Sequence, residues 1–240
     1  MGLREGVANP CGRGKALTSF PFNVFSLQLS LQVSLVSTLL SVLVGLPVAY
    51  ILARRDFFAK ELMEILFTIP LVLPPTVTGY YLVILFGRNG LIGNVIYRAT
   101  GWSIMFTWYA AVLASFIVSI PLMIRASKAA IESIDTNLIN VAYTLGHGEF
   151  ETAVRVVIPL AKNGIVAGAI LSFARGIGEF GATIMLAGNI PGKTDTMPIA
   201  IYTLAASGEW TKTHLMVIIL TVISGAVIYL SNRFTKRTFF

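Results

Sequence analysis

The sequence predicts an all-α polytopic membrane protein with about five transmembrane helices per subunit, and three observations predict it. Apolar residues make up 55% of the 240 and charged residues only 12%, about half the charged share of an ordinary soluble domain. Several runs contain no Asp, Glu, Lys or Arg at all: 16–53, 65–87, 99–124 and 215–232. Each approaches or exceeds the roughly 20 apolar residues that a helix needs to cross a hydrocarbon core. Between the third and fourth expected crossings lies one long amphipathic segment, 125–162, that has the composition of a helical element outside the bilayer.

Taken in order, residues 1–20 form a polar N-terminal tail rich in glycine, with Gly2, Gly6, Gly12 and Gly14 around Pro10 and Cys11. The apolar run that follows is too long for a cleaved signal peptide, so the first crossing, Phe25–Ala53, doubles as the targeting signal. The second crossing, Leu62–Phe86, carries Pro70, Pro74 and Pro75 near its middle. Prolines at that depth are tolerated where neighbouring helices or a cavity satisfy the freed backbone groups. Two readings stand: a kink needed for packing, or a helix bent around a substrate path. The third crossing is Ser103–Ile124. In 125–162, Ala129, Ala130, Ile131 and Ile134 alternate with Lys128, Glu132 and Asp135 at helical spacing. Gly146 and Gly148 interrupt the pattern before Glu149–Val157 resumes it, which predicts a helix–turn–helix. The fourth crossing, Gly164–Leu186, is apolar apart from Arg175 and Glu179. Its Gly164 and Gly168 are spaced for close packing against another helix. The fifth crossing is Thr213–Ser231, and residues 236–240 form a short tail. The transmembrane domain as a whole spans 21–235.

Orientation follows from the loop cations, because Lys and Arg concentrate on the cytoplasmic side. Five crossings put ten of them on the side of 125–162 and seven on the other, three of the seven in the N-terminal tail. This predicts an N-terminus outside and a C-terminus in the cytoplasm.

Other function classes fit poorly. The net charge of +7 lies in short loops beside apolar runs, not on a basic face with interleaved aromatics, so nucleic acid is not an expected partner. Cys11 has no second cysteine, and His147 and His214 lack ligand spacing, so no metal site is expected. No nucleophile–base constellation suggests a catalytic residue. No ring of charges or carbonyls suggests a channel filter, and no internal repeat suggests a secondary carrier.

Two stretches resemble a known family. Asn140-Val141-Ala142-Tyr143-Thr144-Leu145-Gly146, nine residues, then Val156-Val157-Ile158-Pro159, resembles the cytoplasmic signature of ABC-importer permeases. Asn140 and Val141 depart from the Glu and Ala of that signature, while Ala142, Gly146 and Pro159 keep its residues and spacing. Phe173–Thr183, Asn189–Gly192 and Ala200–Thr203 resemble the molybdate permeases, and more loosely those for sulfate and tungstate. The resemblance covers roughly 25–235. It implies the type I ABC-importer permease fold, with 126–160 as coupling helices docked on an ATP-binding subunit through Asn140, Ala142, Gly146 and Pro159. It also implies a homodimer in the cytoplasmic membrane, two ATP-binding subunits and an external oxyanion-binding protein. No cofactor is expected on this chain, ATP being used by the partner.

Ala187–Thr194 mimics a loose phosphate-binding loop, but such a loop needs a buried strand before it and a helix after it. A membrane helix is expected before it and Pro198 follows soon after, so the match is set aside. Arg175 and Glu179, four residues apart, are expected on one helical face. Two roles stay open for them: an intramembrane ion pair that holds helices together, or an Arg175 near the anion path whose charge Glu179 partly neutralises.

Overall fold

The structure, a computed structural model, describes residues 24–236. The polar tail expected at 1–20, with Cys11, and the C-terminal tail from 237 onward lie outside the described residues. Those described form helices and connecting turns, without a strand among them.

Helix α1 (Val24–Arg54) is apolar on its outside and hydroxylated on its inside. Leu35, Leu39 and Leu43 are 58–65% exposed, as suits a lipid-facing surface. The opposite face buries Ser26, Ser30, Ser34, Ser37 and Ser41, and continues through Gly45 and Ala49 to Leu52. In lipid no hydrophobic force drives helices together, so small residues that let backbones approach carry the packing. They meet α5 (Trp108–Glu132) and α8 (Ile158–Ile177). Ser37 and Ser115 hydroxyls lie 3.0 Å apart, those of Ser41 and Ser119 3.3 Å, and Ser172 Oγ donates to Ser119 O at 3.2 Å. Gly164 and Gly168 take the close-packing role expected of them, facing Ala130 and Ala126 of α5.

The second expected crossing is not one helix. α2 (Lys60–Val72) and α3 (Pro75–Phe86) meet at a 117° bend. Pro74 and Pro75 lack amide hydrogens, and the residue before a proline is driven to extended backbone. Leu73 accordingly has ψ 143°. After α3, the short amphipathic α4 (Leu91–Thr100) ends at Gly101 with φ +69°.

The third crossing runs on to Glu132 in α5, so residues 125–132, expected outside the bilayer, are its last two turns. Helix α6 (Thr136–Thr144) follows, capped by Asp135, whose carboxylate accepts from Asn137 N at 2.9 Å. α7 (Glu149–Thr152), a π-turn (Ala153–Val157) and α8 then form one continuous apolar run, Glu149–Ile177. The wide turn falls where Pro159 has no N–H to give and would crowd the carbonyl four residues back. The helical run thus begins fifteen residues before Gly164, inside the knob segment, and it stops at Ile177 instead of reaching Leu186. A separate short helix, α9 (Gly181–Ala187), follows the break and packs on α3. There Gly79 leaves no room for a side chain against Met185 and Ala182.

The chain closes with α10 (Met197–Ala206) and α11 (Trp210–Lys236). Met197 and Ala200 pack against Met216 and Leu27. Met197 N donates to Ser30 Oγ at 2.7 Å, and Ser26 Oγ donates to Asp195 Oδ2 at 3.1 Å. These bonds tie the start of α1 to the loop before α10 and to the first residue of α10. The far end of α1, the end of α5 and the start of α7 gather at the opposite end of the bundle.

Candidate functional site

At that opposite end, α6, the turn 145–148 and α7 make a protruding knob. The turn is a Schellman closure. Gly146 N donates to Tyr143 O at 3.0 Å and His147 N to Ala142 O at 3.1 Å, which places Gly146 at the position where left-handed backbone is required. Its φ is +88°, with open space where a side chain would project. Glycine is there for its backbone and not for lack of room.

The knob is seated by an apolar cluster of Ile131, Ile139, Val157 and Ala161, with Tyr50 and Ile134 against it. Polar contacts brace it. Arg55 donates from Nη2 to Glu149 Oε2 at 2.5 Å and from Nε to Oε1 at 3.0 Å. Arg155 Nη1 lies 2.7 Å from Glu151 Oε1, and His147 Nδ1 lies 3.0 Å from Glu151 Oε2. Its outer surface is apolar: Leu145 is 74% and Phe150 83% exposed, with Leu138 and Val141 also open.

The four coupling residues named from the sequence separate in the fold. Asn140 is exposed on α6, and Gly146 shapes the tip. Ala142 is buried, so it supports the knob from beneath. Pro159 lies in the first turn of α8, past the π-turn, away from the tip. Leu145 and Phe150 are the large apolar side chains that the tip exposes most. Their signal in the sequence was an apolar residue on each side of the polar, glycine-containing stretch 146–149.

The second cluster lies where the chain breaks. Glu179 is not on the same helix as Arg175, contrary to the spacing argument, because α8 ends at Ile177 and Gly178 caps it. The two side chains still meet, Arg175 Nη1 to Glu179 Oε2 at 2.8 Å. Glu179 Oε1 also accepts from Ala182 N at 2.7 Å. The carboxylate therefore ties the end of α8 to the start of α9. Its side chain is 1% exposed and that of Arg175 28%, so the cation keeps an open side while the anion does not. Gly181 lies against Pro75 and the Thr76 backbone, close enough that a Cβ would come within 2.8 Å of Pro75 Cβ. The break after α8 and the bend before α3 are thus in contact. Loop 188–194 follows a helix, and Thr194 Oγ1 accepts from Ile190 N at 3.0 Å and donates to Gly188 O at 3.3 Å. It closes on itself instead of presenting its amides.

A long-helix bundle with a glycine-turned knob at one end and paired helix breaks within it is a specific arrangement, and the sequence comparisons agree with it. The family described as binding-protein-dependent transport system inner membrane component matches residues 41–239. The chain belongs to this family. It is thus a multi-pass inner-membrane permease component of an ABC transporter. Among curated members, the molybdenum transport system permease protein ModB of Haemophilus influenzae is 42% identical over 194 residues, covering 79% of this chain and 83% of that one. ModB of Escherichia coli K12 is 45% identical over 160 residues, covering 67% and 70%. Among solved structures, a bacterial ABC transporter that imports the acidic polysaccharide alginate shares the fold, with a TM-score of 0.72 at 15% identity over 92% of this chain and 80% of that chain. The type I importer permease fold expected from the sequence is the fold observed.

Proposed function

We propose that this chain is the transmembrane subunit of an ATP-driven importer that moves molybdate across the cytoplasmic membrane. The observation that carries the reading is its 42–45% identity to molybdenum permeases over two thirds or more of its length. Two copies of the chain work with two ATP-binding subunits and an external oxyanion-binding protein. ATP binds and is hydrolysed on the partner, and this chain holds no cofactor. The N-terminus is external, and the knob and the C-terminus are cytoplasmic.

On this reading the exposed Leu145 and Phe150 press into the ATP-binding partner, with Gly146 setting their angle. Displacement of the knob reaches α8 directly, since Glu149–Ile177 is one run, and reaches α1 through Arg55–Glu149. At its far end α8 moves the Arg175–Glu179 link and with it α9, which bears on α3 at the proline bend. A break at this point lets a rigid helix change its angle to the next one without unfolding. The anion passes beside these breaks, and Arg175, charge-balanced by Glu179, lowers the barrier without trapping a dianion.

The test is uptake into proteoliposomes that contain the chain, its ATP-binding partner and the binding protein. Molybdate accumulation that needs ATP inside and binding protein outside is the expected result. Accumulation of sulfate or tungstate with no molybdate would move the assignment to another oxyanion, and uptake without ATP would remove it.

A further inference from the structure

Between α2 and α5 lies a cavity of about 570 Å³, running from the bend at Val72–Leu73 toward the ends of α5 and the start of α2. Its walls are mostly apolar, but Glu64, Arg125, Lys128 and Glu132 also line it. Lys128 is committed: its Nζ lies 2.7 Å from Glu64 Oε1 and 3.5 Å from Glu132 Oε1. Arg125, about one helical turn nearer the middle of α5 and itself exposed, has neither ion pair nor hydrogen-bond partner among the described residues. It stands seven residues before the end of α5, about 10 Å along the axis. A cation in a spanning helix is costly in hydrocarbon and is tolerated where it faces a polar cavity. The arrangement therefore has a layered charge: a free guanidinium above, then an ammonium held between two carboxylates whose sum is negative.

We infer that Arg125 is the contact for the transported oxyanion as it leaves the membrane, in this cavity below the proline bend. The inference rests on the import function proposed above and extends it to a residue outside the Arg175–Glu179 cluster. Guanidinium presents paired N–H donors that match two oxygens of a tetrahedral oxyanion. Conduction also demands that the ion be released. Glu64 and Glu132 meet that demand, since their surplus negative charge one turn below keeps a dianion from settling beside Arg125. The guanidinium chemistry would equally hold the phosphate of an anionic lipid, and the experiment separates the two sources.

The whole transporter is reconstituted with ATP inside, and uptake is scaled to assembled complex. Arg125→Gln is expected to lower the maximal rate of molybdate uptake roughly ten-fold, the scale of one charge-assisted hydrogen bond. The half-saturating concentration should hold, since the binding protein sets it. ATP hydrolysis stimulated by loaded binding protein should persist, and Arg125→Lys should keep most of the uptake. Wild-type rates should be the same in phosphatidylcholine vesicles and in vesicles containing phosphatidylglycerol. If Arg125→Gln does not assemble, Ala129→Glu puts an anion into the same cavity with Arg125 retained, and uptake must fall with hydrolysis intact. Wild-type uptake in Arg125→Gln, or in Ala129→Glu when that variant has to stand in, overturns the inference. So does a wild-type rate that drops to the Arg125→Gln level in phosphatidylcholine alone, which would assign the site to a lipid headgroup. A wild-type complex that imports another oxyanion instead of molybdate defeats only the substrate assignment, and the variants are then read with that ion.

Discussion

The contacts of α1, α5 and α8 and those of α2, α3 and α9 are built from similar small and apolar residues to opposite effect. In the first group the helices are long and meet along hydroxyls and glycines, such as Ser37 on Ser115 and Gly168 on Ala126. In the second, each path is interrupted, at Leu73–Pro74 and at Gly178–Phe180, and the interruptions touch through Gly181 and Pro75. Small residues inside unbroken helices give a close, stiff seam because the whole ladder of backbone bonds must move together. The same residues at a break give a joint, because few backbone bonds cross it. One seam and one joint, linked by α8, suit the coupled motion proposed above.

The strongest way to break the seam is to fill it. Gly164→Leu drives a side chain into Ala130, and overpacking of a tight helix contact is expected to cost about 3 kcal/mol. The measurement is folded yield and melting temperature in detergent. Ala130→Gly in the same chain should recover part of the loss, which would locate the damage at this contact.

The joint should respond differently. Glu179→Gln removes the charge facing Arg175, and Arg175→Gln strands a buried carboxylate. Breaking a fully buried pair costs about 3–5 kcal/mol, and the partial exposure of Arg175 lowers the expectation to about 2 kcal/mol. The double variant should recover stability. If the pair serves only to join α8 and α9, the double variant also recovers molybdate uptake. If Arg175 serves the anion, uptake stays low in a stable protein. Normal stability and uptake in all three variants would exclude both roles.

At the knob, Gly146→Val imposes a β-branched residue on φ +88°, a local strain of about 1–2 kcal/mol. The melting temperature of the isolated subunit should change little, whereas hydrolysis and transport in the complex should uncouple. Gly146→Asn, which tolerates left-handed backbone, should retain most coupling. The smallest effect belongs to Arg55→Gln. Its ion pair with Glu149 is half-exposed, so the loss is expected below about 1 kcal/mol and should shrink as salt rises. Thermal melting at low and high salt checks this.

Much of the fold was legible in the residues themselves. Charge-free runs located α1, α5 and α11, and the stop at Gly146 located the turn between α6 and α7. Pro74 and Pro75 marked a disruption but not its size, because a proline sets what the backbone cannot do and leaves the new angle to its neighbours. Arg55–Glu149 and Lys128–Glu64 gave no signal at all, being 94 and 64 residues apart. The serine stripe of α1 was present at spacings of three and four, but a serine in an apolar run has the same appearance whether it faces a helix or a chain end.

What the sequence alone determined is the solvent of this protein and its division into crossings and knob, since both follow from the free energy of moving charge and apolar surface between water and lipid. Local chemistry also determined that residue 146 is glycine-dependent. Only the tertiary structure decided that the fourth crossing ends at Ile177, that Glu179 bridges a break instead of lying along a helix, and that Arg125 lines a cavity with no ion-pair partner among the described residues. These are outcomes of packing between segments distant in the chain. A helix stops where a neighbour offers its end groups a better partner than the next turn would.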